Sequence, residues 1–225
     1  KIVAEMAEIP RSQAKTINLG LFYGMGKAKL QAELGVTKEK SEELFNKYHN
    51  KAPFVKQLMN KVMSAAQDKG QIKTLLGRRC RFPKYEPILR GSDWGKFVPA
   101  EDKETMLELQ EMGPHLKDDD GKILKDKDGK PKKNYWYKNS TRRAFTYKAL
   151  NKLIQGSAAD MTKKAMVELY KEGLISHIQI HDELDFSIID ESQAAKIKDV
   201  MENAVDLEVP NKVDYESGPN WGEIK

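Results

Sequence analysis

The chain has 225 residues, 39% of them hydrophobic and 32% charged, with a net charge of +5 at neutral pH. That is enough for one large domain or two small ones under a heavily charged surface. No apolar run approaches the length of a membrane span, no signal peptide is evident, and the single cysteine, Cys80, rules out an internal disulfide.

The charge is unevenly distributed. Residues 1–98 carry a net +10, residues 99–140 a net −1 and residues 141–225 a net −4. A basic first part and an acidic last part suit a polyanion on one side and cations on the other. Uneven lysines on solvated helix faces would give the same figures. The chain opens on Lys1 in what reads as mid-helix, so it is expected to be the C-terminal piece of a longer protein, with a natural N-terminus trimmed by processing as the alternative.

Helical patterns come first. Residues 11–23 form one predicted helix behind Pro10. A second, over 38–49, follows Thr37 as N-cap, although Lys40 stands where a capping box wants an acid. A third runs over 53–69, from Pro53 to a stop at Gly70. The period then changes, and I-K-T-L-L-G-R-R-C-R-F-P reads as two short strands around Gly77. Residues 99–140, with D-D-D-G-K and D-K-D-G-K-P, read as a charged, hairpin-like surface insertion. A calcium loop is rejected there, because no alignment supplies Gly at loop position six and Glu at twelve together with the early acids. A long helix is expected over 142–171, with Gly156, Ser157, Ala158 and Ala159 suited to close packing. A strand pair around His181-Asp182-Glu183 follows, then a helix over 191–206 and a short strand near 212–216. Helices first and a small antiparallel unit last point to an α+β fold.

Two stretches carry chemistry. In R-S-Q-A-K-T-I-N-L-G-L-F-Y-G, residues 11–24, Arg11, Lys15, Leu19 and Tyr23 are spaced by four. Each such step advances about 40° around a helix, so the side chains form one slowly winding stripe. Two cations, an aliphatic and an aromatic match the polarity of a nucleoside triphosphate, and the helix N-terminus also favours anions. An ordinary amphipathic helix with a basic end would look the same. Gly26-Lys27 is not a Walker loop, since Leu21 and Ala28 replace its first Gly and its Ser/Thr. In the second stretch, H-I-Q-I-H-D-E-L-D-F-S-I at 177–188, the alternation predicts two half-buried strands with Asp182-Glu183 at the bend. Carboxylates there suit hard divalent cations beside phosphates, although a turn bearing acids is also common on surfaces.

Together these stretches resemble motifs of family A DNA polymerases, the polymerase I and phage replicative class. R-x-x-x-K-x-x-x-L-x-x-x-Y-G at 11–24 resembles motif B, and H-D-E at 181–183 resembles motif C. T-L-L-G-R-R at 74–79, N-K-L-I-Q-G-S-A-A-D at 151–160 and G-P-N-W at 218–221 extend the likeness along the chain. The resemblance implies a right-hand polymerase fold, with fingers over residues 1–75 and palm over 76–225. The palm would include the insertion 99–140 and the H-D-E hairpin 176–188. It implies that Arg11 and Lys15 contact the triphosphate of a deoxynucleotide and that Tyr23 lies beside the base or the template position. Asp182 would hold magnesium, two ions in the complete enzyme, with Glu183 and His181 near the primer end. Asn151 and Gln155 would touch the minor-groove side of primer-template DNA, and Arg79 its backbone. A cytoplasmic setting, in a bacterium or a phage-infected cell, goes with it.

Two departures stand out. Leu19 occupies a place where the family usually has Phe or Tyr, near the sugar. The D-Y-S-x-x-E-like motif A, whose Asp is the other metal carboxylate, is absent, and the first ten residues contain no Asp. This chain alone is therefore expected to be inactive and to need an N-terminal polymerase portion or a second chain that supplies motif A. A non-catalytic DNA-binding fragment, or one subunit of a split polymerase, is the alternative. A single-subunit RNA polymerase is disfavoured, because it would have H-D-S in place of H-D-E and Met-Thr in place of Leu21-Phe22.

Overall fold

The computed structural model describes residues 11–89, 93 and 95–223, and side chains from Ala14 onward. Among these, helices predominate and the strands pair in two-stranded sheets, an α+β arrangement. The chain divides into two compact units, one of residues 1–72 and 79–152, the other of residues 73–78 and 153–225.

In the first unit, α1 (Arg11–Phe22), α2 (Lys27–Leu34) and α3 (Lys38–Lys51) build a small helical core. Ala14, Ile17 and Leu21 of α1 pack with Leu30, Leu44 and Tyr48. Their three- and four-residue spacing is the buried stripe of an amphipathic helix. Gly24 ends α1 with φ +89, and only a residue without Cβ takes that conformation cheaply. Thr37 caps α3 as expected, its hydroxyl accepting from the Lys40 N–H; the Lys40 side chain turns to Glu43. α4 (Pro53–Lys69) has Pro53 in its first turn and stops at Gly70.

β1 (Gln71–Lys73) and β2 (Arg79–Arg81) pair around Gly77, as the sequence predicts. β3 (Tyr85–Pro87) pairs antiparallel with β4 (Thr141–Arg143). This pairing corrects the helix predicted over 142–171: α6 runs over Ala149–Lys171 only. Tertiary partners outweigh local pattern there. Arg142 Nε donates to the buried Glu86 carboxylate at 2.7 Å, Arg143 N–H donates to Gln67 Oε1, and Gln67 Nε2 donates to the Arg143 carbonyl. Phe145, at φ +61, makes the bend between strand and helix.

The insertion is more ordered than a hairpin. It opens with α5 (Lys103–Glu111), capped by Asp102, which the sequence reading missed. Beyond it, the Leu116 N–H donates to the Lys132 carbonyl, Lys132 N–H to Leu124 and Leu124 N–H to Leu116. Three extended pieces eight residues apart thus close a ring. At the same place after each piece stand Asp118, Asp126 and Asn134. Their side-chain oxygens accept from the N–H groups of Asp120, Asp128 and Trp136. Trp136 lies in a satellite core with Ala100 and Met106.

In the second unit, α6 continues past Lys152. Then β5 (Ile178–Ile180), β6 (Glu183–Asp185) and α7 (Glu191–Asn203) follow. The strand expected near 212–216 is not formed among the described residues; instead Val213 N–H donates to the Glu202 carboxylate. No described helix is long and apolar enough to cross a membrane.

Candidate functional site

The predicted residues fall in both units, and each group stands by itself. On α1, burial of Ala14, Ile17 and Leu21 turns the opposite face outward. Lys15 is exposed and Leu19 is 46% exposed, while Tyr23 is half-buried with its ring edge-on to Phe22 at 5.4 Å. Lys15 and Leu19 are therefore on one accessible side of α1, and Tyr23 follows just past its end. The Arg11 side chain lies outside the described residues.

The hairpin of β5 and β6 has a two-residue turn. Ile180 pairs with Glu183, so the turn residues are His181 and Asp182, and Glu183 is the first residue of β6. The sequence reading had put Asp182 and Glu183 at the bend. His181 takes φ +52, the left-handed conformation that two-residue hairpins require at a turn position. Asp182 and Glu183 are both exposed. The register also divides the apolar residues. Ile178 and Ile180 share a face with Asp185 and Glu183, while Leu184 faces the same way as Gln179. Asp185 has one carboxylate oxygen buried with no hydrogen-bond partner among the described residues.

A third piece joins two of the quoted motifs. The turn Thr74–Arg78 lies on α6, and Asp160 joins them. Asp160 is 7% exposed. Its carboxylate accepts from Arg78 Nε at 2.6 Å and from the Thr74 hydroxyl. Arg78 Nη2 donates to the Gly156 carbonyl at 2.9 Å, and Leu75 N–H donates to Ser157 Oγ at 2.9 Å. The expected close packing at 156 is real: a Cβ there would lie 2.9 Å from Thr74 Cγ2. Burial works against the Asp160 carboxylate, but hydrogen bonds from Thr74 and Arg78 and the charges of Arg78 and Lys163 outweigh it. The carboxyl is held below the usual aspartate range.

Sequence reasoning assigned no role to Asp160, Thr74 or Arg78, although all three lie inside the quoted motifs. Pairing residues 86 positions apart needs the fold. Arg79 is exposed and makes no ion pair with another described residue, whereas Arg78 is committed to Asp160. On α6, Asn151 is half-buried and Gln155 exposed.

Comparison with known proteins matches the sequence profile of DNA polymerase family A over residues 1–223. The chain belongs to DNA polymerase family A. Among relatives of this family A chain, a DNA-directed DNA polymerase of Pseudomonas phage M6 is 32% identical, across 99% of this chain and 31% of its own length. A DNA polymerase I of Geobacillus stearothermophilus is 31% identical, across 96% of this chain and 20% of its own. The chain thus spans a fifth to a third of the length of these relatives. Among solved structures, the POL domain of Pol1 from M. smegmatis, in complex with DNA primer-template and dNTP, superposes with a TM-score of 0.58 at 22% identity. It covers 93% of this chain and 31% of the solved one. At that identity the likeness concerns the fold, which is that of a family A polymerase domain.

The donor set on the hairpin suits a hard cation. Asp182 and Glu183 offer exposed carboxylate oxygens, the ligands magnesium prefers, and magnesium takes few protein ligands beside substrate phosphates. Among the described residues no cluster of three or more His, Cys, Asp or Glu is placed to hold a metal.

Proposed function

We propose that this chain is part of a template-directed DNA polymerase that transfers deoxynucleotides from dNTPs to a primer 3′ end. Family A membership supports the reading, and the exposed face of α1 carries it, because it keeps Lys15 and Leu19 accessible together, with Tyr23 just past the helix end. In this reading α1 belongs to the fingers, proposed over residues 1–75, and the hairpin 176–188 to the palm, proposed over 76–225. The primer 3′ hydroxyl gives up its proton to water as its oxygen attacks the α-phosphorus, the bond from that phosphorus to the bridging oxygen breaks, and pyrophosphate leaves. Arg11 and Lys15 neutralise the triphosphate, and Lys15 gives a proton to the departing pyrophosphate. Leu19 faces the sugar and Tyr23 the base. Asp182, with Glu183 beside it, would hold magnesium, which would supply charge neutralisation at the reacting oxygens. His181 lies near the primer end, Arg79 on the DNA backbone, and Asn151 and Gln155 on the minor-groove side. The second metal carboxylate comes from a motif A segment outside these residues.

Single-nucleotide incorporation by the polymerase carrying this chain tests the assignment. Lys15→Ala should slow incorporation by orders of magnitude and leave duplex affinity nearly unchanged. Equal loss of both would refute the role of Lys15. Primer extension by the 225 residues alone, with no motif A segment added, would refute the composition of the metal site.

A further inference from the structure

We propose that the three-piece ring of the insertion is a nucleic-acid contact, with Lys117, Lys125 and Lys133 on one face of it as phosphate-binding groups. The partner class rests on the polymerase reading, but none of these residues belongs to the site assigned to that reaction.

The register of the ring sets the face. Lys117 pairs with Ile123, Lys125 with Pro131 and His115 with Lys133. Residues directly opposite each other across an antiparallel pair share a face. Each lysine also stands one residue after a member of the hydrogen-bonded ring, Leu116, Leu124 or Lys132. Lys117, Lys125 and Lys133 therefore occupy equivalent places, eight residues apart, on a common face. Neighbouring strands lie about 4.8 Å apart, which brings three ammonium groups within reach of one run of phosphates. Asn134 ties the ring to the end of α5, donating from Nδ2 to the Leu109 and Gly113 carbonyls at 2.6 and 2.8 Å. A platform fixed beforehand gives up little conformational freedom when a partner arrives.

Charge names the partner. Residues 115–138 hold eight Lys and five Asp. Two of those acids are engaged by the main chain. Asp118 Oδ1 accepts from the Asp120 and Lys122 N–H groups, and Asp126 Oδ1 from those of Asp128 and Lys130. Lys133 reaches Asp93 at 2.8 Å. The other seven lysines are exposed and make no ion pair with another described residue. The neighbouring stretch 101–111 has the opposite sign, with five Asp or Glu and one Lys, so charge in the insertion is sorted rather than mixed. Protein interfaces are depleted of lysine and centre on buried aromatic or arginine anchors. The aromatics of this segment give no such anchor: Tyr135 and Tyr137 are half-buried under Lys133 and Lys138, and Trp136 is buried in the satellite core. A phosphate backbone needs only the cations, and a contact made through them does not read sequence.

Anisotropy of a fluorescently labelled primer-template duplex, titrated with the 225-residue chain across a range of salt, measures the contact. Lys117→Gln with Lys125→Gln removes two unpaired cations and leaves the Lys133–Asp93 pair intact. The slope of log affinity against log salt should fall by about two, and affinity at physiological salt by about 30-fold, through the loss of two counterion-release contributions. Lys117→Arg with Lys125→Arg should keep the wild-type slope. Both variants should melt with the wild type, because both side chains are exposed. Loss of affinity with an unchanged slope, or loss accompanied by a lower melting temperature in both variants, overturns the proposal. Polyglutamate should compete far more weakly than single-stranded DNA, and equal competition would assign the ring to an acidic protein instead. Wild-type binding that the glutamine variant retains in full overturns the ring contact alone. A wild-type chain with no salt-dependent binding to DNA overturns the polymerase reading along with it.

Discussion

Replacing Gly156 by alanine opposes two effects of similar size, and the structure decides between them. Within a helix interior, alanine is favoured over glycine by about 1 kcal/mol, so propensity alone predicts a more stable protein. The new Cβ, however, would stand 2.9 Å from Thr74 Cγ2 and 3.2 Å from Arg78 Nη2. The arginine tip can move aside, but Thr74 cannot move freely. It is buried, and its hydroxyl is engaged by the Asp160 carboxylate and the Arg78 main chain. Overpacking against a fixed neighbour costs about 1–3 kcal/mol, so the net result is a loss of about 1 kcal/mol. For a chain of this size that lowers the melting temperature by about 2–4 °C. Thermal unfolding followed by circular dichroism reads the shift. Hydrogen exchange of the Leu75 amide, which donates to Ser157 one residue along the helix, should quicken. A rise in melting temperature, with Leu75 protection unchanged, would refute the claim that the turn is locked on α6.

The same lock has a pH signature. The folded Asp160 carboxyl titrates below its ordinary value of 3.8, so its contribution is complete above that pH and disappears as pH falls through the lower folded value. The gap in urea midpoint between wild type and Asp160→Asn should be constant from neutrality to about pH 4 and narrow below it. A gap that widens with acid would be inconsistent with an ionised, hydrogen-bonded Asp160. At the other end of the chain, Thr37→Ala removes the acceptor for the Lys40 N–H and should cost about 1 kcal/mol. The measurement is faster exchange at the first amides of α3, and unchanged protection there would mean that the cap contributes nothing.

Much of the local structure was legible without coordinates, because its causes are local. Pro53 and Gly70 delimit α4 through a fixed φ at one end and a positive φ at the other. Thr37 starts α3 through its own hydroxyl. The apolar spacing of Ala14, Ile17 and Leu21 fixes which side of α1 is buried, and hence that Lys15 and Leu19 are exposed. Motif order and spacing carried the family as well, since the H-D-E motif lies within one hairpin and N-K-L-I-Q-G-S-A-A-D within one helix.

What failed had distant causes. Residues 142–148 carry a helical pattern, yet Glu86 and Gln67 draw Thr141–Arg143 into a strand. The hairpin turn moved one residue toward the N-terminus, because main-chain register, not the position of the acids, decides which pair faces which. The three-piece ring of the insertion depends on hydrogen bonds that close between residues 116 and 132. The sequence by itself determined the elements and the chemistry they carry: a cationic stripe on a helix and two acids on a hairpin. Only the tertiary structure decided that Arg78, and not Arg79, is used up internally. The reason is that Asp160 sits 82 residues further on, and a buried carboxylate must be paired to remain charged.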